Sequence, residues 1–287
     1  MKSESEKLNT PPLLPRRARD SSKRDYGRLL ILGGCRGYTG APSFASRAAV
    51  RAGAGLVWLG VPECIYAITA VKNDEAMPFP LPCDARGRIC AEAVPEVEAR
   101  LERMDCLAIG PGLGRSEGVI ELVQGALAAS RVPTVVDADA LWALSRDMSV
   151  LENAACPAVL TPHEGEFALL GGLLNGDRVS SARRFAERFG CTLVLKGQGS
   201  VIAFPDGDYR VNPTGNPGMA RGGSGDVLTG IMAAMLCQLP FREAVKAAVY
   251  VHGLAGDLAA QELGEYGMTP TDMIRLLPAA LRSLTEE

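Results

Sequence analysis

A run of small residues ending in an acid, Gly222-Gly223-Ser224-Gly225-Asp226, leads straight into the apolar stretch 227–237. Glycines allow several backbone N–H groups to converge on one point. A helix start adds unsatisfied donors and a partial positive charge, and together these make an anion site. An aspartate beside a bound phosphate can take a proton or hold a metal, so Asp226 is a candidate for phosphate chemistry. The bland alternative is a capped loop in which Asp226 only stabilises the helix N-terminus. Asn216, Pro217 and Gly218 extend the loop upstream of that acid.

Five further clusters bear on the choice. Asp137-Ala138-Asp139 closes a Val-Val run; paired carboxylates there can hold Mg²⁺ through water, while Asp139 can equally cap the next helix. Asp137 suits a polar pocket. His163, one of two histidines, lies in Thr161-Pro162-His163-Glu164-Gly165-Glu166. With no second His or Cys nearby, metal ligation is disfavoured, leaving substrate hydrogen bonding or a helix-capping loop. Lys196, Gly197, Gln198, Gly199 and Ser200 follow another apolar run. A lysine leaving a buried strand can pair with phosphate while the glycines expose backbone donors; the alternative is a hairpin turn with a solvated lysine. The glycine-rich segments 33–40 and 110–114 lack the Gly-x-Gly-x-x-Gly order, with Arg115 in place of the third glycine of the latter, and no P-loop is present. No nucleophile elbow occurs, which disfavours a serine triad. His252, on a late apolar helix, reads as a packed structural residue.

These groups need a frame. Strand-like runs at 29–33, 56–60, 106–110, 134–137, 158–161 and 192–196 alternate with helical stretches near 43–53, 64–71, 92–103, 116–130, 139–146 and 178–189. That alternation predicts a mostly parallel sheet wrapped by helices, an α/β class. A Pro-Asp-Gly-Asp turn joins 200–204 to 209–212 as a late hairpin, and the chain then turns helical over 225–238, 241–263 and 271–284. The candidate residues fall at the C-terminal ends of strands, where open α/β sheets bind ligands.

Of 287 residues, 47% are hydrophobic and 22% charged, as expected of a globular enzyme. The organisation expected is a polar mobile head over 1–25 and a single domain over 26–287. A net charge of −3 offers no footprint for nucleic acid, and no apolar run reaches the ~20 residues that span a bilayer. Eight cysteines without a Cys-x-x-Cys pair, and a start lacking a signal-peptide core, point to the reducing cytoplasm.

With these pieces in order, the chain from about residue 26 onward resembles the ADP/ATP-dependent NAD(P)H-hydrate dehydratase family of the ribokinase-like superfamily. The most specific match is Asn-Pro-Gly-Met-Ala-Arg-Gly-Gly-Ser-Gly-Asp-Val-Leu-Thr-Gly over 216–230, supported by Gly-Tyr-Thr-Gly-Ala, Gly-Pro-Gly-Leu-Gly, Asp-Ala-Asp-Ala-Leu, Leu-Thr-Pro-His and Leu-Lys-Gly. The resemblance implies a three-layer α/β/α fold and nucleotide-dependent dehydration of the S-epimer of hydrated NADH and NADPH (NADHX and NADPHX). ADP (or ATP) is the implied phosphoryl donor and Mg²⁺ the implied cofactor, its ligands left open. Carried over by motif, Asp226 is the base; Ala41, Gly112 and His163 contact the hydrate; Lys196, Gly197, Gln198, Gly199, Ser200 and Gly225 hold the adenine nucleotide. A homo-oligomer, tetramer included, and a separate epimerase are the implied partners. Glu164 departs from the pattern, since relatives often carry proline there, as does Ser-Ser-Lys-Arg-Asp-Tyr-Gly, where relatives often carry His-Lys-Gly. A ribokinase-like kinase of a thiazole or hydroxymethylpyrimidine precursor would use the same glycine loop and is the alternative. An intact Asp226 argues against a third class, a nucleotide-binding regulator without catalysis.

Overall fold

The computed structural model describes residues 11–152 and 154–285. The sheet begins in sequence with the apolar run β1 (Arg28–Leu32), whose side chains alternate between two cores. Leu29 and Ile31 enter one core and Leu30 and Leu32 the other. Around β1 lie β2 (Leu56–Pro62), β3 (Met77–Leu81), β4 (Cys106–Ile109), β5 (Thr134–Val136), β6 (Ala158–Leu160), β7 (Thr192–Leu195), β8 (Val201–Ala203) and β9 (Tyr209–Val211). Their order is β3-β2-β1-β4-β5-β6-β7-β8-β9. Every pairing from β3 to β7 is parallel, and the β7–β8 and β8–β9 pairs are antiparallel. The late hairpin is therefore present at one edge. The opposite edge, β3, is a strand that the apolar pattern does not announce. Pro78 and Pro80 interrupt its donors, which only an edge strand tolerates.

Helices cover both faces. On one lie α1 (Gly40–Arg51), α8 (Ser224–Leu236), α9 (Phe241–Gly267, kinked at Gly264) and α10 (Pro270–Arg282). On the other lie α3 (Val94–Leu101), α4 (Glu117–Ala129), α5 (Asp139–Leu144), α6 (Glu164–Leu169) and α7 (Arg178–Phe189). The short α2 (Tyr66–Lys72) precedes β3.

Helix α8 carries the Asp226 loop and is buried continuously from Val227 to Leu236. Such a helix must be packed on all sides. Its closest neighbour is α1: a Cβ placed on Gly230 would lie 2.0 Å from the carbonyl oxygen of Ala45. Gly230→Ala should therefore push the two helices apart and cost about 1–3 kcal/mol. Urea unfolding of the variant checks this, and an unchanged midpoint would show that the helices shift freely.

Of the segment expected as a mobile head, residues 1–10 lie outside the described residues; 11–25 is mostly exposed, and Leu14 and Arg17 touch the rest of the fold. Leu14 donates its N–H to the Leu284 carbonyl at 2.8 Å. Arg17 lies over the Tyr26 ring and bonds Gly53 and Gln238. Ser22 and Asp25 form a reciprocal cap on the 3₁₀ turn Lys23–Tyr26. Among the described residues no helix is long and apolar enough to cross a membrane, and the eight cysteines are free thiols.

Candidate active site

The chain leaves β1 in one direction to reach β2 and β3 and returns on its other side as β4. At this reversal the loops after β1 and β4 separate and leave a crevice. The Gly34 N–H donates to the Pro111 carbonyl at 2.8 Å, tying the two loops at its floor. A Cβ on Gly112 would meet the Ala41 Cβ at 3.1 Å, so these two candidate residues are neighbours on opposite sides of the gap.

The carboxylates arrive from β5. Gly110 has φ 137°, and a Cβ there would sit 1.7 Å from the Asp137 carbonyl oxygen. Only glycine lets the ends of β4 and β5 approach this closely. The next turn is strained: Ala138 has φ 51° and ψ −124°, outside the regions comfortable for a residue with a Cβ. The strain turns Asp137 and Asp139 to different tasks. Asp139 accepts from the Gly114 N–H at 2.9 Å and Arg115 Nε at 3.2 Å, so it holds the loop after β4. It is the first residue of α5 and makes no side-chain cap. Asp137 is almost wholly buried, 1% exposed. Its Oδ1 accepts from Lys196 Nζ at 2.8 Å and its Oδ2 from Thr229 Oγ1 at 2.8 Å.

Lys196 leaves β7 towards this group rather than towards solvent. Its ammonium also lies 3.6 Å from Glu166 Oε2. Burial opposes the lysine charge, but the Coulombic pull of Asp137 and Glu166 outweighs it and holds the ammonium above its ordinary pKa. Gly197 and Ser200 close the turn beyond, with the Ser200 hydroxyl donating to the Gly197 carbonyl at 3.1 Å, while Gln198 is exposed. Arg178 clamps this turn by donating to the carbonyls of Leu195 and Lys196, and pairs with Glu164 at 3.0 Å. The charge that Glu164 introduces is thus met by Arg178.

His163 caps α6: its Nδ1 accepts from the N–H groups of Gly165 and Glu166 at 3.0 and 3.2 Å. The capping reading therefore describes Nδ1; Nε2 lies 3.6 Å from Glu166 Oε1, and 61% of the side chain is exposed.

Asp226 lies in the first turn of α8, with left-handed Gly223 as N-cap. A Cβ on its neighbour Gly225 would lie 3.4 Å from Lys196 Nζ and 3.8 Å from Asp137 Oδ2, which sets the helix start against the same charge cluster. Asp139, Asp137 and Glu166 all accept hydrogen bonds, whereas Asp226 accepts none from the described residues. Burial, reinforced by the nearby Asp137 charge, pushes its pKa up to about 7. A half-buried carboxyl with a pKa near neutrality and no partner is suited to accepting a proton.

A model of the family described as NAD(P)H-hydrate dehydratase matches residues 29–279. The chain belongs to the NAD(P)H-hydrate dehydratase family. It is 46% identical over 280 residues to the bifunctional NAD(P)H-hydrate repair enzyme Nnr of Moorella thermoacetica, covering 96% of this chain and 53% of that protein. The same enzyme of Thermofilum pendens is 39% identical over 97% of this chain and 54% of its own. The chain thus spans about half the length of the curated relatives it matches. Among solved structures, the ADP/ATP-dependent NAD(P)H-hydrate dehydratase from Bacillus subtilis, co-crystallised with ATP/Mg²⁺, superposes with a TM-score of 0.83 at 32% identity, over 96% of this chain and 99% of that one. A ribokinase-like superfamily protein from Enterococcus faecalis gives 0.83 at 29% identity, over 96% and 93%. The three-layer fold is therefore ribokinase-like. The likeness to a hydroxyethylthiazole kinase from Pyrococcus horikoshii, at 16% identity and a TM-score of 0.60, is one of fold.

Several residues that build this site escape local reading. Thr229 lies three residues beyond Asp226, on the same helix face, and that spacing is the one available hint of its bond to Asp137. Asp257 accepts from the Gly215 N–H at 2.9 Å and Asn216 Nδ2 at 3.0 Å, so α9 restrains the loop before α8. An acid in an apolar helix is its signal. Arg178 carries none.

Proposed function

We propose that this chain dehydrates the S-epimer of NAD(P)H hydrate at the expense of an adenine nucleotide, with ADP converted to AMP and phosphate. The observation that carries this reading is the unpartnered Asp226 carboxyl, its pKa raised to about 7, on a glycine-opened helix start beside Lys196. Family membership and the Bacillus subtilis neighbour support the same assignment.

In this reading Lys196, Gly197, Gln198, Gly199, Ser200 and Gly225 hold the nucleotide, and Ala41, Gly112 and His163 contact the hydrate. Asp226 takes the proton of the ring hydroxyl as that oxygen bonds to the terminal phosphorus. The phosphorus–oxygen bond to AMP breaks and AMP departs with the electron pair. The carbon–oxygen bond of the phosphorylated ring then breaks, phosphate leaves with its electron pair, and loss of a ring proton restores the dihydropyridine. Phosphoryl transfer is largely a matter of positioning and charge neutralisation, and N–H donors at the α8 start are oriented before the reaction begins. Among the described residues no group of three or more His, Cys, Asp or Glu side chains could hold a metal ion. A magnesium ion carried on the nucleotide phosphates and water would neutralise phosphate charge.

The test is to mix the protein with chemically prepared NADH hydrate and Mg²⁺, add ADP or ATP separately, and follow the NADH absorbance band. Nucleotide-dependent recovery of the band is the expected result, faster with ADP. A stable phosphorylated product without recovery would replace the dehydratase by a kinase.

A further inference from the structure

His252 lies on α9, which packs along α8, and its Nε2 is 2.8 Å from the carbonyl oxygen of Ser224. A carbonyl only accepts, so the hydrogen is on Nε2 and the tautomer is set by the contact. Burial holds the ring pKa down at about 4, so the donor is a neutral imidazole over the whole working range. The Ser224 carbonyl and the Gly225 N–H belong to one planar peptide unit and point in opposite directions. Whatever holds the carbonyl therefore aims the N–H.

That N–H is one of the first of α8, which have no partner inside the helix, and no described residue accepts from it. Gly225 itself faces Lys196 and Asp137. The Ser224 hydroxyl is likewise buried without a partner. Donation into a carbonyl also polarises the N–H of the same peptide and strengthens it as a donor. The contact is part of a wider restraint, since α9 holds Thr214 through the Tyr250 carbonyl and Gly215 and Asn216 through Asp257. Only the His252 contact, however, falls on the peptide unit that carries a free donor.

We propose that His252 is a positioning residue for phosphoryl transfer: its Nε2–H holds and polarises the Ser224–Gly225 peptide so that the Gly225 N–H meets the phosphoryl group in flight. The proposal rests on the phosphoryl-transfer reading above. A role confined to packing predicts a different pattern, in which side-chain volume matters and hydrogen-bond capacity does not.

Three variants separate these cases. His252→Gln places an amide N–H near the position of Nε2, His252→Asn carries the same group one methylene short, and His252→Leu fills the space without a donor. Each is assayed with NADH hydrate, Mg²⁺ and ADP or ATP, with ADP binding followed by calorimetry and folding by thermal melting. His252→Leu and His252→Asn should lose roughly 10- to 100-fold in kcat, with a smaller loss of ADP affinity, because the Gly225 N–H also holds the nucleotide and bears hardest on the transition state. His252→Gln should recover most of the rate. Equal rates in folded His252→Leu and wild type, or equal loss in the Gln and Leu variants, would overturn the proposal. Wild-type protein that restores no NADH would overturn the dehydratase reading and the proposal with it, an outcome distinct from a working wild type beside an unaffected His252→Leu.

Discussion

Asp226→Asn is expected to lower turnover sharply and, at alkaline pH, to make the empty protein more stable. Asp226 has a pKa of about 7 in the folded chain because burial penalises its charge and Asp137 repels it; an unfolded aspartate titrates near 3.9. The raised value means that folding favours the protonated form. Its contribution to stability is full below the unfolded pKa and is lost as the pH rises through about 7. At pH 8 the folded protein must carry an ionised carboxylate in a poorly hydrated crevice. Asparagine keeps the shape and drops the charge, so Asp226→Asn should be roughly 1–3 kcal/mol more stable than wild type at pH 8, allowing for partial exposure and relaxation. The advantage should vanish near pH 4. Turnover should fall by roughly 10²–10⁴-fold, the usual worth of a general base. Wild-type kcat/KM should rise with pH through an apparent pKa near 7 as the base ionises. Melting curves of both proteins between pH 4 and 9 provide the check, and parallel curves would mean that Asp226 is well solvated and the base assignment loses its physical basis.

Asp137→Ala should have the largest effect on stability. The substitution leaves the Lys196 ammonium without its 2.8 Å partner and the Thr229 hydroxyl without an acceptor, in a place where Asp137 is 1% exposed. Removing one member of a buried ion pair typically costs about 3–5 kcal/mol, because the remaining charge is still desolvated. Two companions sharpen the result. Asp137→Asn retains an acceptor for the lysine and should lose less. The double variant Asp137→Ala with Lys196→Met removes both charges and should recover part of the loss, a coupling that a double-mutant cycle in urea measures directly. Asp137 also heads the charged groups raising the Asp226 pKa, so any Asp137→Ala protein active enough to assay should show its rate profile displaced to lower pH. Additive losses in the cycle would show that the pair is not coupled.

Much of the frame is legible locally. The runs that form β1, β4, β5, β6 and β7 are short, apolar and bounded by glycine or proline, and each ends within about a residue of its expected position. The start of α8 announces itself because glycine conformations and helix-end donors are local properties. The edge strand β3 is invisible in the same terms, since Pro78 and Pro80 contradict strand patterning until β2 pairs along one side only and leaves the other open, where donors are not required. Helix α6 shows only through the helix-capping alternative at His163, because that cap is not one of the usual short polar residues.

The sequence by itself determined the class of fold, the polarity of the crevice and the place of an acid at its glycine-opened helix start, because each depends on patterns spanning a few residues. Tertiary structure alone decided what those groups became. Lys196 meets Asp137 across 59 positions and Thr229 meets Asp137 across 92, and His252, indistinguishable in sequence from a packed core residue, reaches the Ser224 carbonyl 28 positions away. An ion pair, an aimed peptide and a shifted pKa all depend on distance and on the exclusion of water, and both are set only when separate parts of the chain have closed on one another.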